Sequence, residues 1–552
     1  MKSVLKYKFI IFSVLVSFLS IHSLFHSGLP PTHDGEYHVI RFYEFDKTLR
    51  SGSLYPRWAQ DLNSGYGVPL FNYVYPLPNY VASSFHFLGF SFIDSFKLNM
   101  IVASIFGSTF FYLWSKKYWG EMGGLVSSVF YSFTPYRLLD IYVRGSVGEV
   151  WALSFFPAFL WAIDAYLDEQ NLRYFVFSSV FLGLIIFSHN ILGLALFSFS
   201  IFYLFIRILM KGNRGKLFLN ITKILVVGVG ISAIFWLPAL LEKQFVKGLE
   251  IYDYSKNFPD LSQLLIPSWG SGFSVGGLNN QMSLQIGIAN ILAVALSVAL
   301  LVFFRRKKDK NRLIILFFLI AFFVISLMML KISLPVWRNV PLMSYFQFPW
   351  RLLSLVLIIT SFLAGSLVYA LNIVGKTILA KAIAVVLITS SILFSINYIK
   401  PAYYHQRDDK YYTSRSNFID STNSSENSFN TVWFNPQLRK VKKRLESRNA
   451  EINVLINKPT REKAIIKRKI EGKALVNIAY FPGWKVHVNK KIVPVNITRD
   501  GVFEINLPRG ESLVDVELKD TPVRLISYLV TLASISLLFG LFVKEKYIKI
   551  KE

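Results

Sequence analysis

A mainly α, polytopic helical membrane protein carrying a small β-sandwich near the end of the chain is the fold class this sequence predicts, and three observations predict it. Apolar residues fill 53% of the 552 positions and only 17% are charged, whereas soluble domains carry roughly 25% charged residues. The apolar residues gather into about twelve runs of membrane-crossing length. One long polar stretch late in the chain then alternates apolar and polar residues with the period of a half-buried strand.

The runs lie near 7–25, 95–115, 120–135, 148–167, 172–188, 190–210, 217–240, 284–304, 313–331, 351–372, 377–397 and 522–543, those at 120–135 and 172–188 being short. Lys2, Lys6 and Lys8 precede the first, as in a secretory signal, but no small-residue cleavage site precedes Pro30-Pro31. A retained anchor is expected. With the N-terminus inside, Lys116-Lys117, Arg207 to Lys216, Arg305 to Arg312, Lys376 with Lys381, and Lys544 to Lys551 all fall in cytoplasmic segments, as basic loop residues do. Both termini of this cell-membrane protein are then expected in the cytoplasm. Residues 26–94, 136–147, 241–283, 332–350 and 398–521 share the extracytoplasmic face.

Three units follow: a membrane domain over 1–397 with interfacial helices in 26–94, an outer domain over 398–521 that is β-rich from about 451, and a last span with a basic tail over 522–552. In the first outer segment, Tyr37, Ile40, Phe42, Phe45 and Leu49 interleave with Arg41, Glu44, Lys47 and Arg50, the pattern of an amphipathic helix at the interface. In the outer domain, Val476 to Tyr480, Trp484 to Val488 and Val514 to Leu518 alternate, and Asn489-Lys490-Lys491 and Arg499-Asp500-Gly501 suit hairpin turns. Residues 408–450 show no clear period.

The formal charge of +27 is carried largely by short clusters between apolar runs, which suits anionic lipid rather than nucleic acid. The absence of cysteine excludes disulfides, thiolate metal sites and a cysteine nucleophile. No phosphate-cradling glycine loop, nucleophile elbow or zincin motif occurs, so nucleotide-driven pumping and the familiar hydrolases are unsupported.

Chemistry concentrates in the segment Thr32 to Tyr80, which opens with His33-Asp34-Gly35-Glu36-Tyr37-His38. A carboxylate at the mouth of a transmembrane helix is costly unless something uses it. Asp34 and Glu36 are the catalytic candidates, and one carboxylate suffices as a general base. The competing reading makes Asp34 the N-cap of the helix that follows. Arg41, Arg57, Arg137, Arg144, Arg338 and Arg351 also map to the outer face. Guanidinium forks suit a lipid phosphate held there, although arginines beside tryptophan also anchor helices to headgroups. Glu149 follows Arg144 by five residues. His33 and His38 match no metal-helix spacing, and His189-Asn190 reads as an interhelical polar contact. That pattern leaves room for a divalent cation without assigning one.

Taken together, His33-Asp34 with His38, Tyr55-Pro56-Arg57-Trp58, Gly65-Tyr66-Gly67-Val68-Pro69-Leu70, Arg144-Gly145 with Glu149, Ser188-His189-Asn190, Phe348-Pro349-Trp350-Arg351 and Tyr480-Phe481-Pro482-Gly483-Trp484 resemble a family. It is the group of bacterial and archaeal membrane proteins described as 6-pyruvoyl-tetrahydropterin synthase related, similar to the YfhO-like group and to the GT-C superfamily of glycosyltransferases. The description does not imply a pterin activity. The resemblance implies an inverting transferase whose catalytic carboxylate lies in the first extracytoplasmic loop, at Asp34. GT-C enzymes often carry an acidic pair there, where this chain has Asp34-Gly35-Glu36. The implied donor is a polyprenyl-phosphate-linked sugar, and the acceptor an envelope glycan, a lipid or a protein. His38, Arg41, Arg57, Arg137, Arg144, Glu149, His189 and Arg351 are the expected donor-phosphate and substrate contacts. The rival expectations are a non-enzymatic protein that transports or assembles lipid-linked glycans, and a scaffold whose β-domain binds cell-wall polymer.

Overall fold

The computed structural model describes residues 8–247, 253–274, 277–278, 281–304, 309, 311–414, 429–438 and 443–551. Lys2, Lys6 and the basic run Arg305 to Lys308 lie outside the described residues. The helices that build the membrane part are α1 (Lys8–Ile21), α2 (Gly35–Arg50), α3 (Leu77–Phe87), α4 (Phe92–Phe133), α5 (Val147–Glu169), α6 (Leu172–Ser188), α7 (Asn190–Leu209), α8 (Arg214–Ile231), α9 (Ala233–Leu241), α10 (Ile288–Phe304), α11 (Arg312–Met329), α12 (Leu353–Ile373) and α13 (Thr377–Ser395). A last helix, α14 (Pro522–Lys551), follows the β unit.

All twelve apolar runs are helical, but they differ in reach. Among the described residues eight helices are long and apolar enough to cross a membrane, or nine if α8 and α9, bent by 71° at Ser232, count as one broken span. Leu172–Ser188 and Ile288–Val302 are apolar but shorter. The runs at 95–115 and 120–135 belong to α4, which reverses at Gly120 (φ 73°, ψ 178°), a conformation that is nearly glycine-only. The arms 92–119 and 121–133 are antiparallel: Ser108 Oγ meets Ser128 Oγ at 2.9 Å and Phe111 stacks on Tyr131 at 4.6 Å. Ser13 of α1 joins that hydroxyl cluster, 2.6 Å from Ser128. Small residues allow such close helix approach where lipid supplies no hydrophobic drive.

α5 and α12 are almost wholly buried, while α13 and α14 turn much of their surface outward. A helix apolar all round belongs at the centre of a bundle. Inside α5 the buried Asp164 carboxylate accepts bonds from Arg207 Nε (2.7 Å), Tyr203 Oη (2.5 Å), Tyr118 Oη (2.7 Å) and Trp114 Nε1 (3.1 Å). α2 shows the expected apolar face, yet Glu44, Asp46 and Thr48 are buried as well. The Trp58 loop covers that second side, Thr48 Oγ1 donating to Trp58 O at 3.0 Å.

The β unit holds β1 (Leu445–Glu446), β2 (Ala450–Lys458), β3 (Arg461–Arg468), β4 (Gly472–Val476), β5 (Trp484–Val488), β6 (Lys491–Val493), β7 (Asn496–Ile497), β8 (Phe503–Leu507) and β9 (Gly510–Leu518). They form two antiparallel sheets, β1-β4-β8-β7 and β2-β3-β9-β5-β6. Alternate residues point inward: Ala464, Ile466, Val486, Val514 and Val516 from one sheet share a core with Ala474, Val476, Phe503 and Ile505 from the other. The β5–β6 turn places Asn489 and Lys490 at positive φ, as a tight hairpin requires. Residues 398–414 run back along the first outer segment instead, where His405 pairs with Leu29.

One ion pair joins the membrane part, the β unit and α14. Buried Arg524 donates through Nε and Nη2 to Glu242 Oε2, both at 3.0 Å, and reaches Pro482 O at 3.1 Å and Lys519 O at 3.3 Å. Asn72 Nδ2 donates to the same carboxylate oxygen at 2.9 Å. Arg524→Met strands the buried Glu242 carboxylate and is expected to cost about 3–5 kcal/mol of stability, read by thermal or denaturant unfolding of the purified protein. Adding Glu242→Gln should cost less than the two single changes summed.

Candidate functional site

Around Arg144 the chain makes an unusual turn. A short helix Pro135–Leu139 widens into a π-helical turn over Asp140–Arg144 and ends at left-handed Gly145 (φ 66°); a Cβ there would collide with Thr32. The turn delivers Asp140 and Arg144 to the first turn of α5, where Glu149 sits. Arg144 grips Glu149 with both fork nitrogens, Nη1 to Oε2 at 2.7 Å and Nη2 to Oε1 at 2.6 Å, and Nη1 also meets Asp140 Oδ1 at 2.5 Å. Two-point charge-assisted bonds of this kind fix orientation as well as distance.

Three further elements converge on Glu149. Arg351, just ahead of α12, places Nε 3.3 Å from Oε1 and holds Gln347 Oε1 with Nη1 at 2.5 Å. Its neighbour Trp350 lies under the Arg144 guanidinium, 4.9 Å from ring centre to Cζ. Tyr136 Oη donates to Oε2 at 3.2 Å. His189 caps α7 by accepting the Leu192 N–H on Nδ1 at 3.1 Å, so its proton resides on Nε2, which faces Oε1 at 3.7 Å.

The first outer segment docks on this turn through its backbone: His33 N–H donates to Val143 O and Asp34 N–H to Arg144 O, both at 2.9 Å. Asp34 occupies the N-cap position of α2, but its side chain makes no capping bond. Among the described residues no side chain or backbone donor engages its half-buried carboxylate. Glu36 is turned away, 3.5 Å from Arg407 and 3.9 Å from His405. His38 is buried between Phe42 and Phe96 with Nε2 unpartnered. Tyr75 packs against His189 with the rings tilted and their centres 5.0 Å apart, and closes over Gly148, where a Cβ would stand 2.5 Å from its ring. Burial pushes the Tyr75 hydroxyl well up, and Arg41, Asp34, Glu149 and Arg351 all act on it. It therefore stays protonated and can donate. Burial, then the negative charge of Glu149, pushes the Asp140 carboxyl up against the pull of Arg144.

The structure thus brings Asp34, Arg41, Glu149, His189 and Arg351 to Tyr75, with Arg144 on Glu149 and His38 acted on by Arg41 and His189. Arg57 and Arg137 lie elsewhere. Arg137 is buried over the Tyr131 ring at 4.3 Å, donating to its hydroxyl at 2.7 Å. Arg57 lies beside α14, with Nε 3.9 Å from Asp520. The sequence reading does not reach Tyr75, Tyr136 or Asp140, and it has Trp350 only as part of the motif Phe348-Pro349-Trp350-Arg351 with no role of its own. Asp140 stands four residues before Arg144 and Trp350 directly before Arg351, signals that would have found both. Among the described residues no group of three or more His, Asp or Glu converges as metal ligands do.

Glu149→Gln leaves buried Arg144 with Asp140 as its one carboxylate among the described residues and half-buried Arg351 with none, so a loss of about 3–5 kcal/mol is expected on unfolding. His38 gives a pH prediction. Burial first, then Arg41 and His189, hold its imidazole well below the ordinary 6.5, so below that pH the unfolded chain binds the extra proton and the folded state does not. Its contribution is intact above about pH 6.5 and is lost as pH falls toward the folded value. Melting temperatures taken from about pH 7.5 to 5 should fall less in His38→Gln than in the parent protein.

Comparison with known proteins places these residues in context. A family model described as 6-pyruvoyl-tetrahydropterin synthase related domain, membrane protein, matches residues 71–399. The match takes in Tyr75, Asp140, Arg144, Glu149, His189 and Arg351 and begins beyond Asp34. A Lactococcus lactis subsp. cremoris (strain MG1363) protein described as "Uncharacterized protein" is 22% identical over 259 residues, 45% of this chain and 41% of its own length. Among solved structures, the arabinofuranosyltransferase AftD from Mycobacteria aligns at 15% identity and a TM-score of 0.44 over 72% of this chain and 27% of that one. The Archaeoglobus fulgidus oligosaccharyltransferase, in complex with Zn and sulfate, aligns at 13% identity and a TM-score of 0.40 over 72% of this chain and 54% of that one. The chain thus spans well under two thirds of each of these proteins.

Proposed function

This chain belongs to the 6-pyruvoyl-tetrahydropterin synthase related family of membrane proteins, and from that premise we propose that it is a GT-C-type glycosyltransferase that moves a sugar from a polyprenyl-phosphate donor, with inversion, to an envelope glycan, lipid or protein on the extracytoplasmic face. One observation carries the reading: Asp34 holds an unengaged carboxylate whose backbone is bonded directly to the Arg144 turn. In the proposed reaction Asp34 takes the proton of the acceptor hydroxyl, the freed oxygen attacks the anomeric carbon, and the bond from that carbon to the phosphate oxygen breaks. The leaving polyprenyl phosphate carries away the bonding pair. Arg351 and Arg41 face the developing negative charge, and the protonated Tyr75 hydroxyl can donate to it. Fixed donors in a partly dehydrated site are worth far more than in water. Arg144, saturated by Glu149 and Asp140, acts as the post to which Asp34 and Arg351 are fastened. Glu36 is a poorer base because Arg407 and His405 already lie against it.

A positioned general base contributes roughly 10²–10⁴-fold. Asp34→Asn is therefore expected to lower sugar transfer from polyprenyl-phosphate donors in isolated membranes by about a hundredfold or more, and Glu36→Gln to lower it by less than about tenfold. Full turnover by Asp34→Asn together with loss in Glu36→Gln would move the base to Glu36. Wild-type envelope glycans from both variants in cells would favour a transport or assembly role over transfer.

A further inference from the structure

A cavity lies apart from Asp34, where the first outer segment, the β unit and α14 meet. Its volume is about 520 Å³, within the range of small-molecule sites, and Tyr55, Arg57, Asp520, Arg524, Tyr528 and Leu532 contribute to its walls. Arg57 is buried, yet its bonding is incomplete. Nη1 donates to Asn72 Oδ1 at 2.8 Å and Nη2 to Ile234 O at 3.2 Å and Tyr528 Oη at 3.4 Å, while Nε has no hydrogen-bond partner. The buried Tyr55 hydroxyl has none either. Unmet donors in a walled cavity are uncommon in folded proteins and ask for an explanation.

The chemistry of the walls selects the occupant. The Arg57 guanidinium faces the rings of Tyr55 (4.6 Å) and Tyr528 (5.5 Å). Charge is balanced: Arg524 is taken by Glu242 and Arg57 is faced by Asp520. An anion entering here would meet the Asp520 carboxylate. A hydroxyl would not: it can accept from Arg57 Nε or Tyr55 Oη while donating to Asp520. Donor, acceptor and aromatic faces side by side are what a pyranose or furanose ring uses. Leu532 of the cavity wall is exposed, as are Leu525 and Leu529 on the same helix, and they lie on an apolar segment long enough to cross a membrane. An alkyl chain attached to such a sugar could run along them.

We propose that this cavity binds the neutral glycosyl head of a glycolipid, with its hydrocarbon tail along α14. The chain segment 72–75 links it to the first site: Asn72 bonds Arg57, Asn190 Nδ2 bonds Tyr73 O at 3.0 Å, and Tyr75 packs against His189. Use of the cavity as an acceptor subsite rests on the transferase reading; binding itself does not.

The test uses the full chain in lipid nanodiscs and a diazirine-bearing alkyl glucoside below its micellar concentration, with labelled peptides mapped by mass spectrometry. Saturable labelling in the peptides that carry Tyr55 and Tyr528 is expected, displaced by octyl glucoside and not by octyl phosphate. Tyr55→Phe removes a hydroxyl that bonds nothing in the protein, so it should leave the melting temperature unchanged and weaken labelling about threefold or more. Asp520→Asn should weaken it about tenfold or more. Labelling that octyl phosphate displaces better than octyl glucoside, that both variants leave unchanged, or that maps away from these peptides overturns the proposal. Because the readout is binding and not turnover, failure here and failure of Asp34 as the base are separate results.

Discussion

The pair of Arg144 and Glu149 is the constraint on which the candidate site is built. Both side chains are buried, and two parallel bonds of 2.6 and 2.7 Å join them. A buried ion pair gains little over an apolar contact but is expensive to break, so its value here is geometric. Three stretches far apart in sequence read their positions from it: the π-helical turn and the start of α5 through Arg144 and Glu149, the approach to α12 through Arg351, and the cap of α7 through His189. The first outer segment docks on that turn by donating the backbone N–H groups of His33 and Asp34 to Val143 O and Arg144 O.

Much of this was legible in the sequence, for a physical reason. Lipid forces every spanning segment to satisfy its own backbone, so apolar runs and helices coincide, and the β unit announces itself by alternation. What spacing could not convey was direction. Asp34 and Glu36 lie two residues apart where α2 begins, and successive helical residues rotate by about 100°; Asp34 is fastened to the Arg144 turn by its backbone with its carboxylate unengaged, whereas the Glu36 carboxylate meets residues 405–407. The same limit applies to the arginines. Sharing an outer loop does not make Arg137 and Arg144 share a site: seven residues apart, one guanidinium lies over Tyr131 and the other over Trp350.

The β unit is not a detached appendage. Trp58 from the first outer segment meets Trp484 edge to face at 5.3 Å, Ala479 N–H donates to Tyr66 O at 2.9 Å, and Tyr66 and Tyr73 belong to the same apolar cluster as the sheet interiors. The two aromatic motifs noticed separately in the sequence, one around Trp58 and one around Trp484, are the two halves of one interface. Composition marked the boundary of the outer domain near residue 398, but the chain spends its next residues beside α2 before the sheets begin at Leu445.

The central helix α5 is held at both ends. Glu149 near its first turn is locked by Arg144 and Arg351, and Asp164, about 22 Å further along the axis, is locked by Arg207 and two tyrosines. A rod clamped at two such points can neither roll nor slide without stripping a buried charge of its partner. Any cycle that carried substrate across the membrane by rocking this helix would have to break and remake one of those clamps on every turnover. The centre of the membrane part is therefore built to hold α5 in one place.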